Sequence, residues 1–103
     1  MIIKTISIIV SSPFELIIEG ISNLLNIYED INIVAKAKNR NQIFQNIKNH
    51  NPEIILIDID IIRDNSLINE INTLDSTINI VVLINNNSNK KIQQLEELDL
   101  VKC

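Results

Sequence analysis

The sequence is poor in residues that cross-link, bend or stack a chain. Its 103 residues hold one cysteine, one glycine, two prolines, one histidine and no tryptophan, and aromatics make up 3%. A single cysteine, Cys103, excludes an internal disulfide and fits a reducing compartment, so a cytoplasmic location is expected. A single glycine, Gly20, leaves no glycine-rich loop to cradle a phosphate. Nine basic residues face thirteen acids, for a net charge of −4, and they do not gather on any one element. Phosphate neutralisation needs a basic face, so this domain is not expected to bind nucleic acid directly. No apolar run is long enough to span a membrane. The start, "MIIKTISIIV", lacks the basic region, long apolar segment and small-residue cleavage site of a signal peptide. The lone histidine, His50, has no nucleophile paired with it in sequence and stands near a predicted helix C-terminus, where an imidazolium is electrostatically comfortable.

What is abundant is branched aliphatic. Hydrophobic residues make up 46% of the chain, and 25 positions are isoleucine. That is enough for one real core and favours strands with stiff packing, so residues 1–103 are expected to form one small domain. The run "IIKTISIIV", 2–10, reads as a first strand ended by "SSP". Apolar residues at Phe14, Ile17, Ile18, Ile21, Leu24, Leu25 and Tyr28 then follow helical spacing. Ser11 or Ser12 is the expected cap, Pro13 is tolerated in the first turn, and Gly20 is expected to pack closely against a strand. "INIVAKA", 31–37, reads as a second strand, and Ile43, Phe44 and Ile47 mark one face of a second helix. "EIILIDI" is apolar on both faces, the mark of a central parallel strand. A polar loop, a helix from Ser66 to about Leu74 and a buried strand at 78–84 come next. "KKIQQLEEL" reads as a fourth helix with Ile92, Leu95 and Leu98 inward, and "LVKC" as the start of a fifth strand.

Regular β-α alternation with short connections predicts an open α/β parallel sheet with helices on both faces. In such sheets chemistry sits beyond the C-terminal strand ends, here Ser11-Ser12, Asp58 and Ile84-Asn85.

"LIIEGISNLL" followed by "INIVAKA", and "NPEIILIDIDI" with Asp58 six residues after its proline, resemble a response-regulator receiver domain of the LuxR-type branch. The resemblance implies a flavodoxin-like doubly wound sheet of strand order 2-1-3-4-5, here truncated before the fifth helix. It also implies a phosphoacceptor aspartate, an acidic pair that holds Mg²⁺ beside it, a hydroxyl ending the fourth strand and a lysine ending the fifth. Asp58 stands at the phosphoacceptor position. The acidic pair falls on Ser11-Ser12, or on Ser12-Pro13 without a gap, and neither offers a carboxylate. The hydroxyl position is Ile84, and the lysine falls beyond Cys103. Asp60, Asp64 and Glu15 are the acids left to rebuild a metal site, and loop acids rarely meet the near-octahedral demand of Mg²⁺.

The resemblance thus implies a degenerate, non-catalytic receiver, with no cofactor, that acts as an interaction or dimerisation module of a transcriptional regulator. It would dimerise with itself, respond to a histidine kinase or other regulator, and reach DNA through a separate C-terminal domain. Lys90, Lys91, Ile92, Leu95 and Val101 form the candidate interaction surface. In the family the first and fifth helices cover one sheet face, so an uncovered apolar face beside the first helix is expected, buried by a second copy or by a tail. The alternative is a working receiver, phosphorylated on Asp58 by a histidine kinase with Mg²⁺. A small α/β enzyme or ligand binder using the crevice is a third reading.

Overall fold

In the computed structural model, which describes residues 4–84, the middle of the sheet is a strand buried on both sides. This is β1, Ile6–Ser11, whose Ile8, Ile9, Val10 and Ser11 are all buried. It pairs in parallel with β2, Ile31–Ala37, on one side and β3, Ile54–Asp58, on the other. The outer partner of β3 is β4, Asn79–Leu83, which gives the order β2-β1-β3-β4, all parallel. This is the predicted sheet as far as β4, but the expected buried strand at 78–84 is shorter and open: within β4 no residue is buried and Val81 is 43% exposed, because β4 forms the edge of the described sheet. The predicted fourth helix and fifth strand, with Lys90, Lys91, Ile92, Leu95, Val101 and Cys103, lie outside the described residues.

Alternate side chains of each strand point to opposite faces, so the sheet builds two cores. The larger lies under α2, Arg40–His50, and α3, Ser66–Leu74. It gathers Ile9, Ile43, Ile55, Ile57, Ile59, Ile62 and Ile71, each no more than 1% exposed. Burying a side chain of this size stabilises by about 1.5–3 kcal/mol. The smaller lies under α1, Glu15–Leu25, where Ile8, Val10 and Ile18 are buried and Ile21, Leu25, Ile33, Ile54 and Leu56 partly so. Between Ile8 and Ile9 the register with β2 slips by one residue, so Ile8 faces Ile33 while Ile9 faces Ala35. That bulge turns both Val34 and Ala35 toward the larger core.

The helix ends follow local chemistry. Asn39 caps α2, its Oδ1 accepting from the Gln42 amide at 2.9 Å, while Gln42 Oε1 accepts from the Lys38 amide at 2.7 Å. Asn51 closes α2 in the left-handed region (φ 46°), which a short polar side chain tolerates, and Pro52 leads into β3.

Three expectations for α1 need correction. The helix starts at Glu15, after Pro13, and Phe14 holds the cap position with no side-chain cap. Of its apolar series, Ile18 is buried and Ile21 and Leu25 half-buried, while Phe14, Ile17, Leu24 and Tyr28 are exposed. Gly20 packs against nothing: an added Cβ meets no atom within 4 Å. A glycine in a helix interior with open space around it only loses backbone entropy. Gly20→Ala is therefore expected to raise the stability of the dilute chain by about 1 kcal/mol in a urea melt.

Candidate functional site

Parallel pairing sets Ser11 opposite Ile57, so Ser12, just past β1, and Asp58, the last residue of β3, stand side by side. Ser12 is fully buried and Asp58 is 4% exposed. The Ser12 hydroxyl donates to Asp58 Oδ2 at 2.7 Å and accepts from the Phe14 amide at 3.1 Å. Its own amide donates to Ala37 O at 3.0 Å, which ties the turn to β2. The other carboxylate oxygen, Oδ1, accepts from the Asp60 amide at 2.9 Å and caps the single 3-10 turn Ile59–Ile61. Each oxygen of Asp58 thus has a donor, and neither donor is charged. A buried carboxylate needs such partners, because an unsatisfied one is costly.

Ser11 turns away. Its hydroxyl donates to Leu56 O at 2.6 Å across the β1–β3 pair. Neither serine caps α1: Ser12 Oγ bonds an amide one residue ahead of it. Ile84 follows β4 and is 59% exposed.

A cleft of about 320 Å³ opens beyond the same strand ends, lined among others by Pro13, Lys38, Arg40, Asp60, Arg63 and Asp64. Neither Ser12 nor Asp58 lines it. Three of its five charged side chains have partners among the described residues. Lys38 pairs with Glu15, and Arg40 with Glu70. Arg40 also donates to Ser66 Oγ at 2.9 Å and lies 5.5 Å from the centre of the Phe44 ring. Asp64 Oδ1 accepts from the Ser66 hydroxyl at 2.6 Å and the Ser66 amide at 2.8 Å. Those two bonds, with the Arg40 charge adding to them, hold the Asp64 carboxyl below its ordinary value of 3.8. No group of three or more His, Cys, Asp or Glu side chains among the described residues is placed to hold a metal ion. His50 sits in the last turn of α2, exposed, away from these groups in the chain's topology.

The Ser12–Asp58 bond was not visible in the sequence, because it depends on the register of β1 against β3. The Arg40–Ser66–Asp64 cluster was missed for the same reason: it joins two helix starts 26 residues apart.

This geometry has a known frame: the chain has the receiver fold of response regulators. The isolated receiver domain of RcsB from Salmonella enterica serovar Typhimurium, solved with the phosphomimetic BeF3-, superposes with a TM-score of 0.79 at 20% identity, covering 93% of this chain and 73% of that one. The non-phosphorylated RcsB receiver domain from Escherichia coli gives 0.79 at 20% identity over 93% and 77%. A LuxR-family response regulator from Aurantimonas gives 0.74 at 17% identity over 90% and 69%. In sequence, the chain is 33% identical over 54 residues to the transcriptional regulatory protein LnrK of Bacillus subtilis. That match spans 52% of this chain and 24% of the relative's length. No family model matches the chain. No helix among the described residues is long and apolar enough to cross a membrane.

The pair makes a stability prediction. Asp58→Ala leaves the Ser12 hydroxyl and the Asp60 amide without their acceptor, and Ser12→Ala removes one donor from a buried carboxylate. Each is expected to cost about 1–3 kcal/mol in urea unfolding, and the double variant less than the sum. Strict additivity would mean that the bond does not couple the strand ends.

Proposed function

We propose that this chain is a degenerate receiver, a non-catalytic interaction and dimerisation module of a cytoplasmic two-component-type transcriptional regulator. One observation carries the reading. Where the receiver resemblance calls for an acidic pair beside the phosphoacceptor aspartate, Asp58 is held by the hydroxyl of Ser12.

The residues present do not fit a Mg²⁺ site. Mg²⁺ in phosphoryl-transfer sites is held by one or two carboxylates, substrate oxygens and waters in near-octahedral array. Here the single carboxylate at the strand ends is buried and bonded on both oxygens. Of the acids left to replace the pair, Glu15 pairs with Lys38, Asp64 accepts from Ser66, and Asp60 lines the cleft that Asp58 does not. Among the described residues, no second acid stands beside Asp58 to hold a cation that would neutralise charge as the phosphoryl oxygens approach. Ile84 supplies no hydroxyl to bind the product. Asp58 acts instead as the cap that fixes the turn after β3 and links it to β1.

The transcriptional part of the reading rests on the relatives. LnrK is named a transcriptional regulatory protein, and RcsB has been solved bound to promoter DNA. With a net charge of −4 and no basic face, this chain would reach DNA through a separate domain. The second reading, a working receiver phosphorylated by a histidine kinase, draws on Asp58 standing at the C-terminal end of β3.

Intact-mass measurement after incubation with acetyl phosphate or phosphoramidate and Mg²⁺ separates the two. The mass is expected to stay unchanged. A stoichiometric phosphoryl adduct that disappears in Asp58→Asn establishes the second reading.

A further inference from the structure

The cleft beyond the strand ends carries charges that the fold itself does not use. Its lining comes from the segments that follow β1, β2 and β3, and no residue of β4 contributes. Ion pairs and hydrogen bonds brace those segments against one another. Lys38, after β2, pairs with Glu15, the first residue of α1, and Arg40 reaches Ser66 at the start of α3. Arg40 also holds Glu70, and Asp64 is held by Ser66. Two charged side chains of the lining are left over, Asp60 and Arg63. Both are exposed, and neither has an ion pair or a side-chain hydrogen bond among the described residues. They stand close in sequence on the turn after β3, yet they do not pair with each other. Singly, an unpaired surface charge means little, because water satisfies it. Here two of opposite sign line one cleft whose other charges are taken up in bracing it.

We infer that this cleft binds a small zwitterion, an aliphatic α-amino acid. Such a molecule carries a carboxylate and an ammonium on one carbon, and so answers both free charges at once. The Arg63 guanidinium is a planar fork that takes a carboxylate through two parallel bonds. The Asp60 carboxylate offers only acceptors and takes the ammonium. The uncharged lining includes Pro13, Ile61 and Leu67, which suit an aliphatic side chain. The volume, about 320 Å³, lies at the small end of the ~300–1,000 Å³ typical of small-molecule sites. The same charges disfavour simpler ions. Inorganic phosphate would meet two acids, Asp60 and Asp64, and a bare amine would meet Arg63. Neither Ser12 nor Asp58 lines the cleft, so binding there is compatible with either reading of Asp58 and goes beyond both. Filled, the cleft would tie the turn that Asp58 caps to the starts of α2 and α3, a chemical input that needs no phosphoryl transfer.

Titration of the isotope-labelled full chain with L-leucine, followed through its amide NMR shifts, tests this. Saturable shifts of the Asp60–Ser66 amides are expected below about 10 mM ligand. Two analogues each remove one charge: isocaproate lacks the ammonium and isoamylamine lacks the carboxylate. Each is expected to bind at least about tenfold more weakly than leucine, because a charge-assisted bond is lost. Arg63→Gln and Asp60→Asn are expected to weaken leucine binding by a similar factor, with Arg63→Lys, which keeps the charge without the fork, between wild type and Arg63→Gln. Both side chains are exposed, so the thermal midpoints of these variants are expected to match the wild type. Inorganic phosphate is expected to leave the amides unshifted. The inference is overturned if leucine gives no saturable shifts, if its shifts lie away from the cleft, or if either neutral variant binds it as well as the wild type does. It is equally overturned if isocaproate or phosphate binds as tightly as leucine, which would make the cleft a plain anion site. If a variant melts early, the two analogues on the wild-type chain decide alone. No phosphodonor is present, so the outcome is independent of the mass measurement on Asp58.

Discussion

The hydrogen bond from Ser12 to Asp58 is the constraint on which the upper end of this molecule turns. Parallel pairing of β1 and β3 brings the two residues together, and Ser12 then joins three chain segments. Through Oδ2 it reaches the end of β3, through the Phe14 amide it shapes the approach to α1, and the Ser12 amide holds β2. The second carboxylate oxygen fixes the turn that carries Ile59 and Ile62 into the larger core. A carboxylate tied in this way is a structural acceptor. Its burial is offset by donors on both oxygens. On the proposed reading, this arrangement stands in place of what phosphoryl transfer needs, a carboxylate facing a cleft and a cation beside it.

Much of the scaffold could be read from the chain alone, for physical reasons. β2 and α3 fell at their predicted bounds, because "INIVAKA" and the Leu67, Ile68, Ile71 spacing each match a single period. Alternation gave the open parallel sheet, and the strand order to β4 came with the receiver resemblance. The position of Asp58 at a strand end was equally plain, since an apolar run stops on it. Its partner was not. Side-chain pairing between strands 46 residues apart depends on register, and nothing local in "SSP" distinguishes a hydroxyl that caps a helix from one that bonds a distant carboxylate. Nor could periodicity tell the buried stripe of α1 from its exposed flank, because apolar residues occupy both. Gly20 misled for a related reason: its neighbours in sequence suggested a packed helix, and only the fold shows the open space around it.

The two faces of the sheet divide the work. The α2–α3 face is closed, with a continuous isoleucine core that sets the stability of the domain. The α1 face is thinner, with three fully buried residues and a rim of exposed leucine, isoleucine and tyrosine.

Calorimetric titration with Mg²⁺ of the wild type, of Ser12→Asp and of Asp58→Asn in the Ser12→Asp background measures directly whether the residue at position 12 separates this site from a metal-binding one. The account predicts no saturable heat for the wild type at millimolar Mg²⁺, a saturable site in Ser12→Asp, and its loss when Asp58 is replaced. A saturable site in the wild type, or none in Ser12→Asp, would contradict it.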